Sequence, residues 1–128
     1  MPTTRMCAVV CVMAVCGCGV GHDDLIKEQI RSLDEAAAIL EGVRDAESAR
    51  VARPKLLKIV ADIRQQNAQA RKLAPTSAED LARITAKNEQ ASQAALARLN
   101  DAARKAADLP DCQELVAEFN RELGRLLH

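Results

Sequence analysis

Aromatic side chains are all but missing: the 128 residues hold one Phe, Phe119, and no Tyr or Trp. That removes the stacking platforms on which bases and sugar rings are held, and it leaves any core to Leu, Ile, Val and Ala. A basic excess is missing too, since 18 Lys and Arg balance 18 Asp and Glu. Nucleic-acid binding needs clustered positive charge, so nucleic acid is not an expected partner. Glycine is absent from residues 43–123, which rules out a glycine-rich phosphate loop there. His is limited to His22 and His128, and Met to positions 1, 6 and 13. No C-x-x-C-H, H-E-x-x-H or paired E-x-x-H motif occurs, so haem, zinc-protease and di-iron chemistry lack their ligands. No catalytic residue, cofactor or metal site is expected, and the chain reads as a non-enzyme.

What is present falls into two unequal parts. Four of the five Cys (7, 11, 16 and 18) and three of the five Gly (17, 19 and 21) lie within the first 21 residues. One basic residue, Arg5, precedes eleven apolar residues, Met6 to Cys16, and small residues follow. That is the layout of a secretory signal peptide. The apolar run is too short for a membrane-spanning helix, which needs roughly 20 residues. Four thiols could in principle hold zinc. Cys7 and Cys11, however, lie in an unbroken apolar run and not in the turn of a ligand knuckle.

Val15, Cys16, Gly17 and Cys18 fill the places of an aliphatic residue, a small residue, Gly or Ala, and the invariant Cys. The segment resembles the lipobox of bacterial lipoprotein precursors, with Cys16 an unusual occupant of its place. The resemblance covers about 18 residues and names no family for the rest. It implies cleavage after residue 17, diacylglycerol on the Cys18 thiol and acylation, as by palmitate, of the new N-terminus. Several acyl chains give stable membrane attachment. Gly19, not Asp, follows the Cys, which by the same resemblance implies the periplasmic face of the outer membrane. The alternatives are a plain signal cut near Gly19 or Gly21 and an uncleaved Cys-rich helix. The expected organisation is a signal peptide over 1–17, a lipidated Cys and tether over 18–22, and a helical domain over 23–128.

The remainder is rich in Ala, Leu, Glu, Gln, Lys and Arg, and nowhere alternates apolar and polar residues with a period of two. Four helical segments are expected, with no sheet. The first follows Asp23 and Asp24, carries Ile26, Ile30, Leu33, Ala37 and Leu40 on one face, and ends near Gly42 to Arg44. The second starts at Ala46 after a cap at Asp45, kinks at Pro54, and aligns Leu56, Val60, Ile63, Asn67 and Ala70. A start at Arg53 is the alternative. A turn at Pro75 and a capping pair, Thr76 and Glu79, open the third, about Ala78 to Ala107. Its stripe is Leu81, Ile84, Asn88, Ala91, Ala95, Leu99, Ala102 and Ala106. Pro110 stops it, Asp111 and Glu114 form a second capping pair, and Cys112, Val116, Phe119, Leu123 and Leu126 share a face of the fourth.

Short connections favour antiparallel neighbours, so the expected fold is an all-α, up-and-down bundle of three or four helices. Residues 22–53 carry a net charge of minus three, from eight acids and five bases, and residues 54–75 carry plus four, from five bases and one acid. The first two helices are therefore expected to attract each other. The basic helix could instead meet anionic lipid or polymer. Cys112 reads as a buried small hydrophobe without a His base. Asn67 and Asn88 interrupt apolar seams, either buried to set register or reaching water. The expected function is that of a non-catalytic, lipid-anchored envelope protein that binds a protein partner or itself, or spaces structures. The alternative is a small periplasmic binding or chaperone-like module with an apolar groove.

Overall fold

The computed structural model describes residues 21–73 and 77–126. They form an all-α bundle with no strand among them: α1 (His22–Glu41), α2 (Ala46–Lys72), α3 (Ala78–Ala107), a 3₁₀ turn (Pro110–Cys112) and α4 (Gln113–Leu126). The signal peptide, the lipobox with Cys18, Pro75, Thr76 and His128 lie outside the described residues.

Local chemistry sets most of the helix ends. Asp24 accepts a hydrogen bond from the Gly21 amide at the start of α1, and Asp23 and Asp24 put negative charge in its first turn. Asp45 caps α2, accepting from the Ser48 amide at 2.9 Å, while the Ser48 hydroxyl accepts from the Asp45 amide at 3.0 Å. The helix then runs unbroken through Pro54. Pro54 has no amide hydrogen, which leaves the Arg50 carbonyl without its helical partner. Both residues are exposed, so water can fill that place.

The cap of α3 is Ser77, whose hydroxyl accepts from the Asp80 amide at 3.0 Å. This corrects the Thr76–Glu79 pairing by one residue. The Asp111–Glu114 box does not form either. Pro110 leads the 3₁₀ turn, so the chain is already wound when it reaches Asp111, and Leu109 takes the capping place with no side-chain bond.

Cross-helix contacts define the topology. Gln29 and Ser32 meet Asn67 and Gln66, so α1 and α2 are antiparallel. Asp23 meets Asn88 and Glu41 meets Arg98, so α1 and α3 run parallel. Asp45 meets Cys112 and Arg53 meets Glu118, so α2 and α4 also run parallel. Cyclically, the four helices neighbour one another in the order α1, α3, α4, α2. The bundle is up-and-down, but α2 and α3, consecutive in the chain, do not approach as neighbours.

The lengths do not match, and the bundle tapers. Near the α1–α2 loop all four helices enclose the core, where Phe119, Leu40, Leu56 and Cys112 are the largest side chains with almost no exposure. From the Arg53–Glu118 register, Leu126 ends α4 near the level of position 61 on α2, which continues to Lys72. Those eleven residues amount to about 16 Å of rise. Beyond α4, α1 alone bridges α2 and α3. At the same end α3 starts ten residues before its Asp23 contact, so its first turns overhang α1.

Those lengths explain where the apolar stripes depart from expectation. Leu81 is 43% exposed because α3 overhangs α1 there, and Ala91, three residues past the Asn88 contact, is exposed as well. In α1 the fully buried residues are Leu25, Ser32, Ala36, Ala37 and Leu40, whereas Ile26, Ile30 and Leu33 are half-buried. Packing against α2 on one side and α3 on the other widens its buried face beyond a single stripe. The stripes of α2 and α4 are buried as expected at Leu56, Val60 and Ile63, and at Cys112, Val116, Phe119 and Leu123.

Candidate functional site

Where α4 stops, its seam does not close. Leu123 and Leu126 at its end, Leu33 of α1, Ile63 of α2 and Leu96 of α3 surround an open cleft of about 360 Å³. Leu96 is 39% exposed. Its polar lining is Ser92 of α3 and an amide pair, in which Gln29 Nε2 donates to Asn67 Oδ1 across α1 and α2. An apolar cleft with a few fixed polar groups is the usual form of a binding site.

Ion pairs do not follow the charge pattern of the first two helices. Asp23 of α1 pairs with Lys87 of α3, and Asp34 and Glu41 pair with Arg98 of α3. Among the described residues no ion pair joins α1 to α2. The expected α1–α2 charge attraction takes no form of direct ion pairing among the described residues: the two helices meet through Gln29, Ser32, Gln66 and Asn67, and three acids of α1, Asp23, Asp34 and Glu41, reach α3. On α2, Arg53 reaches α4 and binds both oxygens of Glu118 at 2.8 and 2.7 Å. Lys55, Arg64, Arg71 and Lys72 make no ion pair among the described residues.

Asn88 is 6% exposed, and its amide donates to Asp23 at 2.7 Å and to the Ile84 carbonyl at 2.9 Å. It therefore belongs to the α1–α3 contact, whereas Asn67 is only half-buried beside the cleft. Donation from Asn88 first, then from Lys27 and Lys87, holds the Asp23 carboxyl at about 2. Arg98 lowers Glu41, Arg53 lowers Glu118, and the Ser48 amide lowers Asp45.

Cys112 is fully buried and free, with its thiol 3.6 Å from the Asp45 carbonyl oxygen that it faces. Burial first, then the Asp111 and Asp45 charges, pushes its pKa up. A raised pKa keeps the thiol protonated and inert. His22 stands at the start of α1, the opposite end of the bundle, so no described imidazole can serve this thiol. The consecutive carboxylates also diverge: Asp34 turns to Arg98, while Asp80 binds Arg83 and its neighbour Glu79 is exposed. Among the described residues no group of three or more His, Cys, Asp and Glu could hold a metal ion, and no described helix is long and apolar enough to cross a membrane.

Sequence reasoning placed Leu33, Ile63, Leu123 and Leu126 on inward stripes, yet did not single out Leu96, Gln29 or the cleft. The cleft depends on α4, at 14 residues, being about half as long as α3, at 30, and no local pattern signals that. Comparison with protein-family models, with curated proteins and with solved structures finds no match.

Proposed function

We propose that this chain is a non-catalytic, lipid-anchored helical lipoprotein of the bacterial envelope, held at the periplasmic face of the outer membrane, whose bundle is a protein-interaction module. The lipobox resemblance at Val15–Cys18 carries the anchoring, with Cys18 as the lipidated residue. In support, α1 begins at His22, four positions after that Cys, so the anchor and the tapered end of the bundle are close in the chain. The test is Cys18→Ser. The precursor should stay uncut or the protein should leave the membrane fraction. Normal processing and unchanged fractionation of the variant would overturn the reading.

The open cleft favours a second reading, a small binding or chaperone-like module that takes an apolar ligand. It expects a folded monomer to bind apolar dyes at one saturable site.

A further inference from the structure

The flank of α2 that packs on α4 continues past Leu126, and no other described element packs on it there. Arg53, the residue that binds Glu118, sits on the flank of α2 that faces α4. Eleven residues on comes Arg64 and eighteen on comes Arg71. At about 3.6 residues per turn these are about three and five whole turns, so the three guanidinium-bearing positions share one flank. Arg64 and Arg71 are exposed, lie beyond the level where α4 stops, and have no ion pair among the described residues. Beside that flank runs the cleft, with Ile63 and Leu96 carrying the apolar seam onward from Leu123 and Leu126. The stretch is about 16 Å long, some three helical turns.

We infer that this stretch docks an amphipathic helix from another protein, running parallel to α2 as α4 does. It carries two carboxylates seven residues apart for Arg64 and Arg71, and aliphatic side chains at i, i+3 or i+4 and i+7 for the cleft. The assignment rests on the reading of the bundle as an interaction module and names the chemistry of its partner. Charge chooses the occupant: a small apolar ligand leaves both arginines unmet, whereas a helix repeating the Glu118 position meets both. Helix-in-groove docking draws its affinity from the apolar anchors, and the flanking charges set orientation and partner choice.

The test uses the intact chain in phosphatidylcholine nanodiscs and a fluorescent synthetic helix of about 16 residues with that pattern. Arg64→Glu with Arg71→Glu should weaken its binding at least about tenfold with helical content unchanged. A peptide whose two Glu are replaced by Lys should show the reverse preference. Leu96→Asp should weaken both peptides. Failure of the charge reversal to restore binding, or seating of a second copy of this chain in the cleft, overturns the assignment. Membrane fractionation of the same variants is read separately. A chain that stays anchored and meets a partner through another face keeps the interaction reading and loses this one.

Discussion

At the residue scale, the last turns of the fold bury the one aromatic side chain and the one described Cys among aliphatic neighbours. Phe119 is 1% exposed and Cys112 fully buried. Truncating Phe119 to Ala should cost about 3–5 kcal/mol, because it removes the largest buried side chain where small Ala neighbours cannot refill the space. Cys112→Ala removes a single sulfur and should cost on the order of 1 kcal/mol. Denaturant unfolding of both variants checks the ordering, and a Phe119→Ala cost below that of Cys112→Ala would contradict it. The native thiol should react slowly with a thiol reagent and rapidly in denaturant, since burial raises its pKa and blocks access. Rapid native reaction would mean that the final helix does not pack as described. The inward position of both residues was legible in the four- and three-residue spacing of the sequence. What Cys112 faces, the carbonyl of Asp45 some 67 positions away, was not, because only tertiary register brings them together.

At the element scale, α2 carries an unusual cost in its own backbone. Pro54 leaves one carbonyl without a helical partner, worth roughly 3 kcal/mol against Ala in a helix interior. It also stiffens the unfolded chain, which offsets about 0.4–1 kcal/mol. Pro54→Ala should therefore raise stability by about 2 kcal/mol and raise Tm, as scanning calorimetry would show. A lower Tm would mean that the proline-shaped turn is required by the packing of Ala49, Ala52 and Leu56 on either side of it. The start of α2 at Ala46 and both ends of α3 could be read from the sequence, because capping oxygens and Ala-rich runs act within a few residues. The exposed first turns of α3 could not. Leu81 and Ala91 fit a helical stripe well, but whether a stripe is covered depends on how far the neighbouring helices extend, and local pattern is silent about that. The same limit hid the cleft.

At the scale of the whole molecule, opposite charges join helices that are not sequential: α1 to α3 through Asp23, Asp34 and Glu41, and α2 to α4 through Glu118. Net charge by segment suggested α1 with α2 instead, because segment sums ignore which flank of a helix each charge occupies. These pairs define the acid limb of stability. The Asp23 carboxyl lies at about 2 in the folded chain against an ordinary 3.8, and Glu41 and Glu118 lie below an ordinary 4.5. A carboxyl lowered by folding stabilises the fold above its ordinary value, and that contribution fades as pH falls towards the folded value. Stability should therefore be level above about pH 4.5 and decline from there towards pH 2. Asn88→Ala, which removes the leading donor to Asp23, should move that carboxyl back up and make the decline shallower in its lowest part. Thermal melts from pH 2 to 7 on both proteins would measure it, and superimposable profiles would contradict the assignment.

The diagonal placement of α2 and α3 also bears on time. In a bundle whose consecutive helices all pair, each can dock as soon as it leaves the ribosome. Here the parallel partner of α1 begins its contact at Asn88, 65 positions after Asp23, and until that stretch exists α1 can seal only its α2 side. Contacts so far apart in sequence slow the final closure and leave a loosely joined α1–α2 hairpin meanwhile. For a chain read as an export precursor, that hairpin would still be threadable through a translocation pore, and closure would wait for the second half of the chain to arrive on the far side.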